Sequence, residues 1–358
     1  MIYAVILAGG RGTRFWPQSR IAEPKQLLKI LTDRSLLQQS VDRIGPLIPP
    51  GNIFVLGNKI LRDSIREQLP EVPPDQIIAD PVGHNTAPCI GLAAHLIAQR
   101  DPEAVLVVLP SDQIITRREL FLDCLRAAES VAQKGENIVV LGLKPTRPET
   151  GFGYVEVEEP GVVRGVGVKV HVVERFVEKP DRPTAERYLA NGNYYWNGGI
   201  FIWKASTVIT ATARFLPATD KALTEIAARA EAGFLEGALE EWYPRTDSIS
   251  VDYGIMEKAG NIFCVASDIG WSDLGSWEAL YEVLEKDSSG NILKGNCITL
   301  DARGNLIDVP DKLVALIGVK DLIIVQTEDA LLICDRNRSQ DVSKLVKELE
   351  HRGLKELL

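Results

Sequence analysis

The sequence is poor in the residues that build disulfide scaffolds, zinc sites and histidine catalysts. Its 358 residues include five cysteines and four histidines. The cysteines are odd in number, widely spaced and form no C-x-x-C pair, which argues against a disulfide framework and a structural zinc site. We expect them to be small buried apolar side chains in a reducing compartment. They are Cys89, Cys124, Cys264, Cys297 and Cys334.

Long apolar runs and an excess of positive charge are also missing. No apolar run approaches the ~18 residues of a membrane span. No basic segment precedes the short apolar run at the N-terminus, so a signal peptide is not expected. The net charge of −9 gives no broad electrostatic footprint for nucleic acid. We therefore expect a cytoplasmic protein that binds neither membranes nor nucleic acid.

The first 143 residues alternate between apolar strands and helices. Continuous apolar runs predict buried strands, and their alternation with helices predicts a parallel, doubly wound α/β sheet. Ligands of such sheets lie at the carboxyl ends of the strands. The predicted strands span residues 2–7, 52–56, 77–79, 104–109 and 138–143, and the predicted helices span residues 36–44, 61–69, 89–100 and 121–134.

Beyond residue 143 the pattern changes twice. Short alternating segments in residues 151–179 predict β structure inserted into the α/β body. A helix, a strand and two further helices are then predicted at residues 183–192, 197–203, 206–214 and 220–240.

From residue 287, Gly-Asn pairs separate short apolar strands, which predicts a small β domain, built as a short β-helix or as ordinary hairpins. Apolar residues at i, i+3, i+4 and i+7 from Val342 predict a terminal amphipathic helix. We therefore place a large α/β domain at residues 1–284 and a small β domain with its terminal helix at residues 285–358.

A glycine-rich loop with flanking cations follows the first strand. Residues 8–14 read AGGRGTR, and Lys25 ends a proline-marked stretch. Glycines let backbone N–H groups approach phosphate oxygens, while Arg and Lys neutralise the charge. The pattern therefore predicts a polyphosphate site, with a plain turn carrying surface cations as the alternative.

Two common phosphate loops do not fit this segment. The P-loop needs a lysine after its second glycine, and none stands at that spacing. The dinucleotide pattern G-x-G-x-x-G starts at Gly10 but meets Phe15 where its third glycine belongs. With the nearby arginines, this argues against an NAD-dependent oxidoreductase.

The segment LAGGRGTRFWPQSR, followed by EPKQ, resembles the signature of the sugar-1-phosphate nucleotidyltransferases. Its WPxSR and PKQ parts are most similar to those of the mannose-1-phosphate guanylyltransferases. The resemblance implies a Rossmann-like, three-layer fold that transfers GMP from GTP to mannose 1-phosphate and releases pyrophosphate. Six further segments follow in the family's order over about residues 1–280: HNTAP at 84–88, PSD at 110–112, FVEKP at 176–180, WNGGIF at 196–201, SVDYG at 250–254 and GWSDLGSW at 270–277.

The implied reaction needs no general base. A phosphate monoester has its second pKa near ~6 and is largely ionised at neutral pH. What remains is in-line positioning and neutralisation of two anions, which calls for fixed cations and a divalent metal. The resemblance places Asp112 and Asp273 as ligands of Mg²⁺. The alternative for an aspartate after a strand is a helix cap.

The resemblance assigns the nucleotide to the opening loop. Arg14 and Lys25 are expected on the leaving pyrophosphate, whereas Arg11 and Arg20 stay open between phosphate contact and surface. Asn85 stays open between a base contact and a helix cap. The expected nucleotide-binding residues are Leu7, Ala8, Gly9, Gly10, Gly12, Thr13, Arg14, Lys25, Asn85 and Asp112.

The sugar phosphate is assigned to later motifs. Glu178 and Asn197, with the backbone at Gly153, are expected to bind hydroxyls, and Lys179 to meet the phosphate. The alternative is an exposed Glu-Lys pair before a proline. Three tryptophans of the motifs could line the sugar pocket. Because tryptophan more commonly packs in a core, a structural role is favoured for each of them. They are Trp196, Trp271 and Trp277.

Two departures from the family and two alternative functions remain. Gln113 stands where the family commonly has histidine, which leaves that neighbour's role open. The sequence has no room for the cupin-like isomerase domain that many relatives append, so isomerase activity is not expected. The same chemistry on another sugar or base is the nearest alternative. A non-catalytic regulatory binder is disfavoured because the aspartates and cations of the motifs are present. The apolar face of the terminal helix favours a homodimer.

Overall fold

The chain forms two compact units, each assembled from separate stretches of sequence. A computed structural model describes residues 1–10, 12–158, 162–164 (backbone only) and 168–358. Each unit combines stretches that are far apart in the sequence, so this division does not test the predicted domain boundary between residues 284 and 285. That boundary stays a prediction. The first unit comprises Met1–Gly9, Val41–Ser111 and Ile115–Trp271, and the second comprises Gly10–Ser40, Asp112–Ile114 and Ser272–Leu358.

Sixteen strands lie among the described residues, most of them apolar and buried on at least one face. They are β1 (Ile2–Ala8), β2 (Ile53–Asn58), β3 (Ile77–Asp80), β4 (Val105–Pro110), β5 (Ile114–Ile115), β6 (Ile138–Leu143), β7 (Tyr154–Val157), β8 (Val162–Arg164), β9 (Val168–Val177), β10 (Tyr194–Lys204), β11 (Ile262–Ala266), β12 (Trp271–Ser272), β13 (Ile292–Leu300), β14 (Leu306–Ile317), β15 (Leu322–Gln326) and β16 (Leu331–Asp335).

Ten α-helices accompany them in the same described ranges. Within the described part of the chain, no helix is both long enough and apolar enough to cross a bilayer. They are α1 (Leu36–Ile44), α2 (Arg62–Gln68), α3 (Thr86–Arg100), α4 (Arg118–Ala132), α5 (Arg182–Asn191), α6 (Ala205–Phe215), α7 (Pro217–Glu231), α8 (Leu235–Trp242), α9 (Trp277–Val283) and α10 (Val342–His351).

The first unit is built on one mixed sheet, in the order β3-β2-β1-β4-β10-β6-β11-β9-β7, with β8 on β9. The strands β3, β2, β1 and β4 run parallel, as predicted. Strand β10 follows the inserted β structure, and no direction was predicted for it; it is antiparallel to both β4 and β6. The reason is the inserted β structure. Its strands β7 and β9 pair antiparallel, so the chain returns to the sheet reversed.

That insertion was predicted for residues 151–179, of which 159–161 and 165–167 lie outside the described residues.

Helix α3 lies against α6 and α7 and contributes to the main core of the unit. Trp203 of β10 and Tyr243 are fully buried in this core. Burying a large apolar side chain contributes roughly 1.5–3 kcal/mol. The single helix predicted at residues 220–240 is wrong. Gly233 adopts the left-handed region (φ +85°), which ends α7 before α8 begins.

The second unit contains a short β-helix. β13 pairs parallel with β14, and β14 pairs parallel with β15, which excludes simple hairpins, since those join antiparallel strands. Buried asparagines stack between successive turns. Asn305 donates to Asn291 Oδ1 over 2.9 Å and accepts from the Leu322 amide over 3.0 Å. The pairs Gly290-Asn291 and Gly304-Asn305 therefore mark corners of the β-helix, whereas Gly295-Asn296 lies inside β13.

Helix α10 forms over the predicted residues and buries three of the four apolar positions of its predicted face, whereas Leu345 is exposed. Val342, Val346 and Leu349 belong to one apolar cluster with Phe15 and Trp277. The amphipathic pattern at the end of the sequence is therefore explained by packing within the second unit. It no longer favours association with another chain.

Candidate active site

The glycine-rich loop is fixed by contacts with the residues that follow it in the sequence, up to Gln26. Gly12 lies in the left-handed region (φ +59°), and a Cβ there would be 2.5 Å from the Cβ of Lys25, so only glycine fits. Ser19 Oγ donates to Gly12 O over 2.8 Å, and Gln26 Nε2 donates to Gly10 O over 3.0 Å. Arg11 lies outside the described residues.

A cavity of about 350 Å³ in the second unit brings the predicted phosphate and metal residues together. Arg14 is exposed at this cavity, and its guanidinium has no ion-pair partner among the described residues. An incoming anion can therefore use all of its donors. Gln113, which replaces the family's usual histidine, is buried in the wall. The lining residues are Gly12, Thr13, Arg14, Phe15, Lys25, Asp112, Gln113, Asp273, Leu274 and Gly275.

Lys25 is the most constrained cation of the cavity, with a side chain that is only 5% exposed. Its Nζ lies 2.8 Å from Asp112 Oδ2 and donates to the carbonyls of Asp273 and Leu274 over 2.9 and 3.0 Å. An ammonium has three donors, so all of them are used. Lys25 therefore joins the two chain segments that carry the aspartates, a role that the sequence did not indicate.

Neither aspartate caps a helix. The helix after Asp112 begins only at Arg118, and Ser276 is the capping residue of the helix after Asp273. The helix-cap alternative is therefore wrong for both. Leu274 adopts φ +45°, an uncommon conformation for a branched side chain that often marks functional sites.

The donor set of the cavity fits a hard divalent cation. Among the described residues, no group of three or more His, Cys, Asp or Glu side chains could hold a metal by itself. Two carboxylates, of Asp112 and Asp273, line the same cavity. Magnesium commonly binds through one or two carboxylates and takes its other ligands from phosphates and water. These residues therefore suit a metal that arrives with a polyphosphate.

The predicted sugar residues form a second cluster, within the first unit. Lys179 Nζ lies 2.5 Å from Glu178 Oε1. Asn197 donates its backbone N–H to Gly153 O over 2.8 Å. A Cβ on Gly153 would lie 2.5 Å from Glu178 Oε2, so the carboxylate lies close to the backbone at Gly153. All four residues are thus in contact, and Lys179 adopts a positive φ of 46°.

One member of this cluster, Asp252, was missed by sequence reasoning. Its Oδ1 accepts a hydrogen bond of 2.9 Å from Asn197 Nδ2, and it begins a π-helical turn, Asp252–Met256. The motif SVDYG contains it, but nothing in that motif ties it to an asparagine 55 residues earlier. Burial, and then the nearby charge of Glu178, raise the pKa of Asp252 to about 6.

This raised pKa predicts a pH-dependent stability difference between the wild type and Asp252→Asn. Charging Asp252 costs more in the folded state than in the unfolded state, whose pKa is near ~3.9. The contribution of Asp252 to the free energy of unfolding is therefore fully present below about pH 3.9 and is lost as the pH rises through about 6. We expect the variant to gain on the order of 2 kcal/mol relative to the wild type between about pH 4 and 7.

Urea unfolding of both proteins across this pH range measures the difference. The other charged groups close to Asp252 are Glu178 and Lys179, and both are unchanged in the variant. A difference that is independent of pH would contradict the assignment of the titration to Asp252.

The structure shows what Asn85 and the three tryptophans of the motifs contact, which bears on the roles left open for them. Asn85 precedes α3 and its Oδ1 accepts from the Thr86 amide over 2.9 Å, so it does cap the helix. Base binding by Asn85 stays a prediction. Trp277 is fully buried and donates to Trp16 O. The rings of Trp196 and Trp271 pack edge-on against Phe152.

Comparisons with known proteins agree with this geometry. The family model described as nucleotidyl transferase matches residues 3–290. The chain belongs to the nucleotidyl transferase family. A second model, the MannoseP isomerase/GMP-like beta-helix domain, matches residues 295–349 of this nucleotidyl transferase, where the parallel strands β13–β15 lie. The predicted family and the predicted fold class are confirmed.

Named relatives extend the likeness over almost the whole nucleotidyl transferase chain. A mannose-1-phosphate guanylyltransferase from Klebsiella pneumoniae is 40% identical over 98% of this chain and 74% of its own length. The xanthan biosynthesis protein XanB from Xanthomonas campestris is 37% identical over 99% and 74%. The crystal structure of a protein described as mannose-1-phosphate geranyltransferase from Thermus thermophilus has a TM-score of 0.84, with 32% identity, over 98% of this chain and 99% of its own.

Proposed function

We propose that this protein transfers GMP from GTP to mannose 1-phosphate, giving GDP-mannose and pyrophosphate. The observation that carries the proposal is the single cavity in which Arg14, Lys25, Asp112 and Asp273 meet beside the glycine loop. Relatives that are up to 40% identical and are named mannose-1-phosphate guanylyltransferases support the choice of sugar and base.

The proposed reaction is an in-line displacement at the α-phosphorus of GTP. An oxygen of the sugar phosphate forms the new P–O bond, and the bond to the β-phosphate breaks, so that pyrophosphate leaves with the electron pair. No proton has to be removed, because the attacking phosphate is already largely ionised at neutral pH. Positioning and charge neutralisation therefore supply the catalysis.

The cavity residues divide this work. Arg14 presents an exposed guanidinium, which suits the leaving pyrophosphate. Lys25 keeps Asp112 beside the Asp273–Leu274 backbone, and its direct contact with the triphosphate stays a prediction. The two carboxylates would hold Mg²⁺, which would neutralise charge on the phosphates. Metal binding at these residues and the identity of the metal are part of the proposal.

The remaining nucleotide contacts follow from the loop. Backbone groups of Leu7 to Gly10, with Gly12 and Thr13, are proposed to approach the phosphates and the ribose, because glycines leave backbone N–H groups accessible. Asn85 is proposed to use its amide nitrogen on the base, since its Oδ1 is used by the cap.

The second cluster is proposed to bind mannose 1-phosphate. Glu178 and Asn197 present a carboxylate and an amide for sugar hydroxyls. Asp252 holds the Asn197 amide in place. The side chain of Lys179 is 53% exposed and supplies a charge for the phosphate. Hydrogen bonding to Glu178 raises the pKa of Lys179 against the opposing effect of burial, so its ammonium stays charged.

Pyrophosphate release over a grid of nucleoside triphosphates and sugar 1-phosphates tests the proposal. We expect GTP with mannose 1-phosphate to give the highest kcat/KM, with no release when the sugar phosphate or the divalent metal is omitted. A higher value for another pair would reassign the substrates. No release with any pair would remove the enzymatic function.

The sugar phosphate site gives a further prediction. Lys179→Ala should raise the KM for mannose 1-phosphate by about tenfold, because one charge-assisted contact with the phosphate is lost, while the KM for GTP stays unchanged. Lys59→Ala is a matched control, since Lys59 is also an exposed lysine paired with a glutamate. An effect confined to the KM for GTP would show that Lys179 serves the other substrate.

Association and localisation also remain proposals. A homodimer is supported by apolar side chains that β13–β16 leave exposed in the second unit, such as Ile298, Ile317 and Ile333. A cytoplasmic location is supported by five free thiols, of which Cys124 and Cys264 are buried. Light scattering of the purified protein measures the first of these.

A further inference from the structure

The chain that leaves the phosphate cavity is anchored to a distant part of the sequence. Trp16 to Arg20 directly follow the cavity residues Thr13–Phe15. Arg20 Nη2 lies 2.6 Å from Asp329 Oδ1 and donates to Thr327 Oγ1 over 3.2 Å. Its Nη1 donates to the carbonyl of Leu357. All these partners lie in residues 292–358, which carry β13–β16 and α10 and are called here the β-helix segment.

Trp16 and Gln18, which precede Arg20 in the sequence, also contact the β-helix segment. Trp16 Nε1 donates to Leu357 O over 2.8 Å, so this carbonyl accepts from two loop side chains. Gln18 Nε2 donates to Asp308 Oδ2 over 3.0 Å. Three side chains at alternate positions, Trp16, Gln18 and Arg20, therefore tie the chain that follows the phosphate loop to the β-helix segment.

The contacts of Arg20 leave little of it for a ligand. Its side chain is 18% exposed, and both of its terminal nitrogens have acceptors. Its charge is matched by Asp329, whose pKa is lowered first by the Thr327 hydroxyl and then by Arg20 itself. A guanidinium whose terminal nitrogens already have acceptors no longer offers two parallel N–H donors to a phosphate.

We propose that the β-helix segment is a scaffold for the nucleotide loop and that Arg20 is a positioning residue acting through Asp329. This inference rests on the proposed function, because the loop is taken to bind GTP. The open alternative for Arg20, a direct phosphate contact, is replaced by this role. The segment thereby influences nucleotide binding without lining the cavity.

Steady-state kinetics of Asp329→Asn test the connection. We expect the KM for GTP to rise about three- to tenfold, as for loss of a partly exposed ion pair that orders a loop. The values of kcat and of the KM for mannose 1-phosphate should stay within about twofold of wild type. Asp341→Asn is the matched control, since it removes another Asp–Arg pair of the same segment that does not involve the loop. Equal effects of the two variants would overturn the inference.

A double-mutant cycle separates the two roles of Arg20. If Arg20 acts through Asp329, Arg20→Gln combined with Asp329→Asn should raise the KM for GTP no more than Arg20→Gln alone. If Arg20 contacts phosphate itself, Arg20→Gln should have its full effect in both backgrounds and Asp329→Asn should have almost none. The second pattern would overturn the inference.

Hydrogen exchange provides a readout that does not depend on catalysis. Amides of residues 12–20 should exchange several-fold faster in Asp329→Asn than in wild type and Asp341→Asn, while those of β14 are unchanged. Unchanged exchange in the loop overturns the inference, whether or not the wild type releases pyrophosphate. Failure of the proposed function would instead appear as absent pyrophosphate release with the exchange difference intact.

Discussion

Asp273→Asn should reduce the kcat for pyrophosphate release by about a thousandfold, the scale expected when transition-state charge stabilisation is lost. The substitution leaves the hydrogen bond from Lys25 in place, because that bond is to the backbone carbonyl of Asp273. Asparagine preserves shape but removes the negative charge that a divalent cation requires. The measurement is pyrophosphate release at saturating GTP and mannose 1-phosphate, repeated over a range of Mg²⁺ concentrations.

The control for this variant is Asp311→Asn, an exposed aspartate on β14. It should leave both kcat and the Mg²⁺ dependence unchanged. Asp112→Asn should lose at least as much activity as Asp273→Asn, since it also removes the ion-pair partner of Lys25. Activity of Asp273→Asn at the wild-type level would remove the metal assignment.

Lys25→Met should lower kcat/KM for GTP by about a hundredfold or more. Methionine fills similar space but leaves the carbonyls of Asp273 and Leu274 and the Asp112 carboxylate without their shared donor. Each loss of this kind costs roughly 1–3 kcal/mol. Lys25→Arg should not restore activity, because the side chain is enclosed and a larger, planar guanidinium does not place three donors at the position of Nζ.

The pattern of this loss distinguishes two roles for Lys25. If it acts by holding Asp112 in place, kcat should fall and the Mg²⁺ requirement should rise. If it binds the triphosphate directly, the KM for GTP should rise with an unchanged Mg²⁺ dependence. The contacts described favour the first pattern. Observing the second pattern alone would return Lys25 to the role of a phosphate ligand.

The parts of the fold that were predicted from sequence depend on local patterns. Strand β1 and helices α1 and α10 lie within one or two residues of their predicted bounds, because apolar periodicity and flanking turn residues define them. The direction of β10 was not predictable in this way. It depends on where the chain re-enters the sheet after an inserted segment, and no local pattern encodes that.

The residues of the candidate site divide in the same way, into those that a local motif predicts and those whose partners depend on the folded chain. Motif resemblance placed Arg14, Asp112 and Asp273 together, and one cavity contains them all. What resemblance did not reveal were pairings between distant residues. Lys25 bonds to carbonyls about 250 positions away, and Arg20 pairs with Asp329 across 309 positions. Side-chain partners at such separations follow only from the folded chain.

The most direct test of the proposed reaction follows oxygen from the sugar phosphate. GTP and the enzyme are incubated with mannose 1-phosphate that carries oxygen-18 in its non-bridging phosphate positions. The isotopic mass of each product is then measured by mass spectrometry. Attack at the α-phosphorus predicts GDP-mannose that retains every labelled oxygen, including one in the new bridge, together with unlabelled pyrophosphate. Label in the pyrophosphate, or GMP formed without labelled GDP-mannose, would contradict the account.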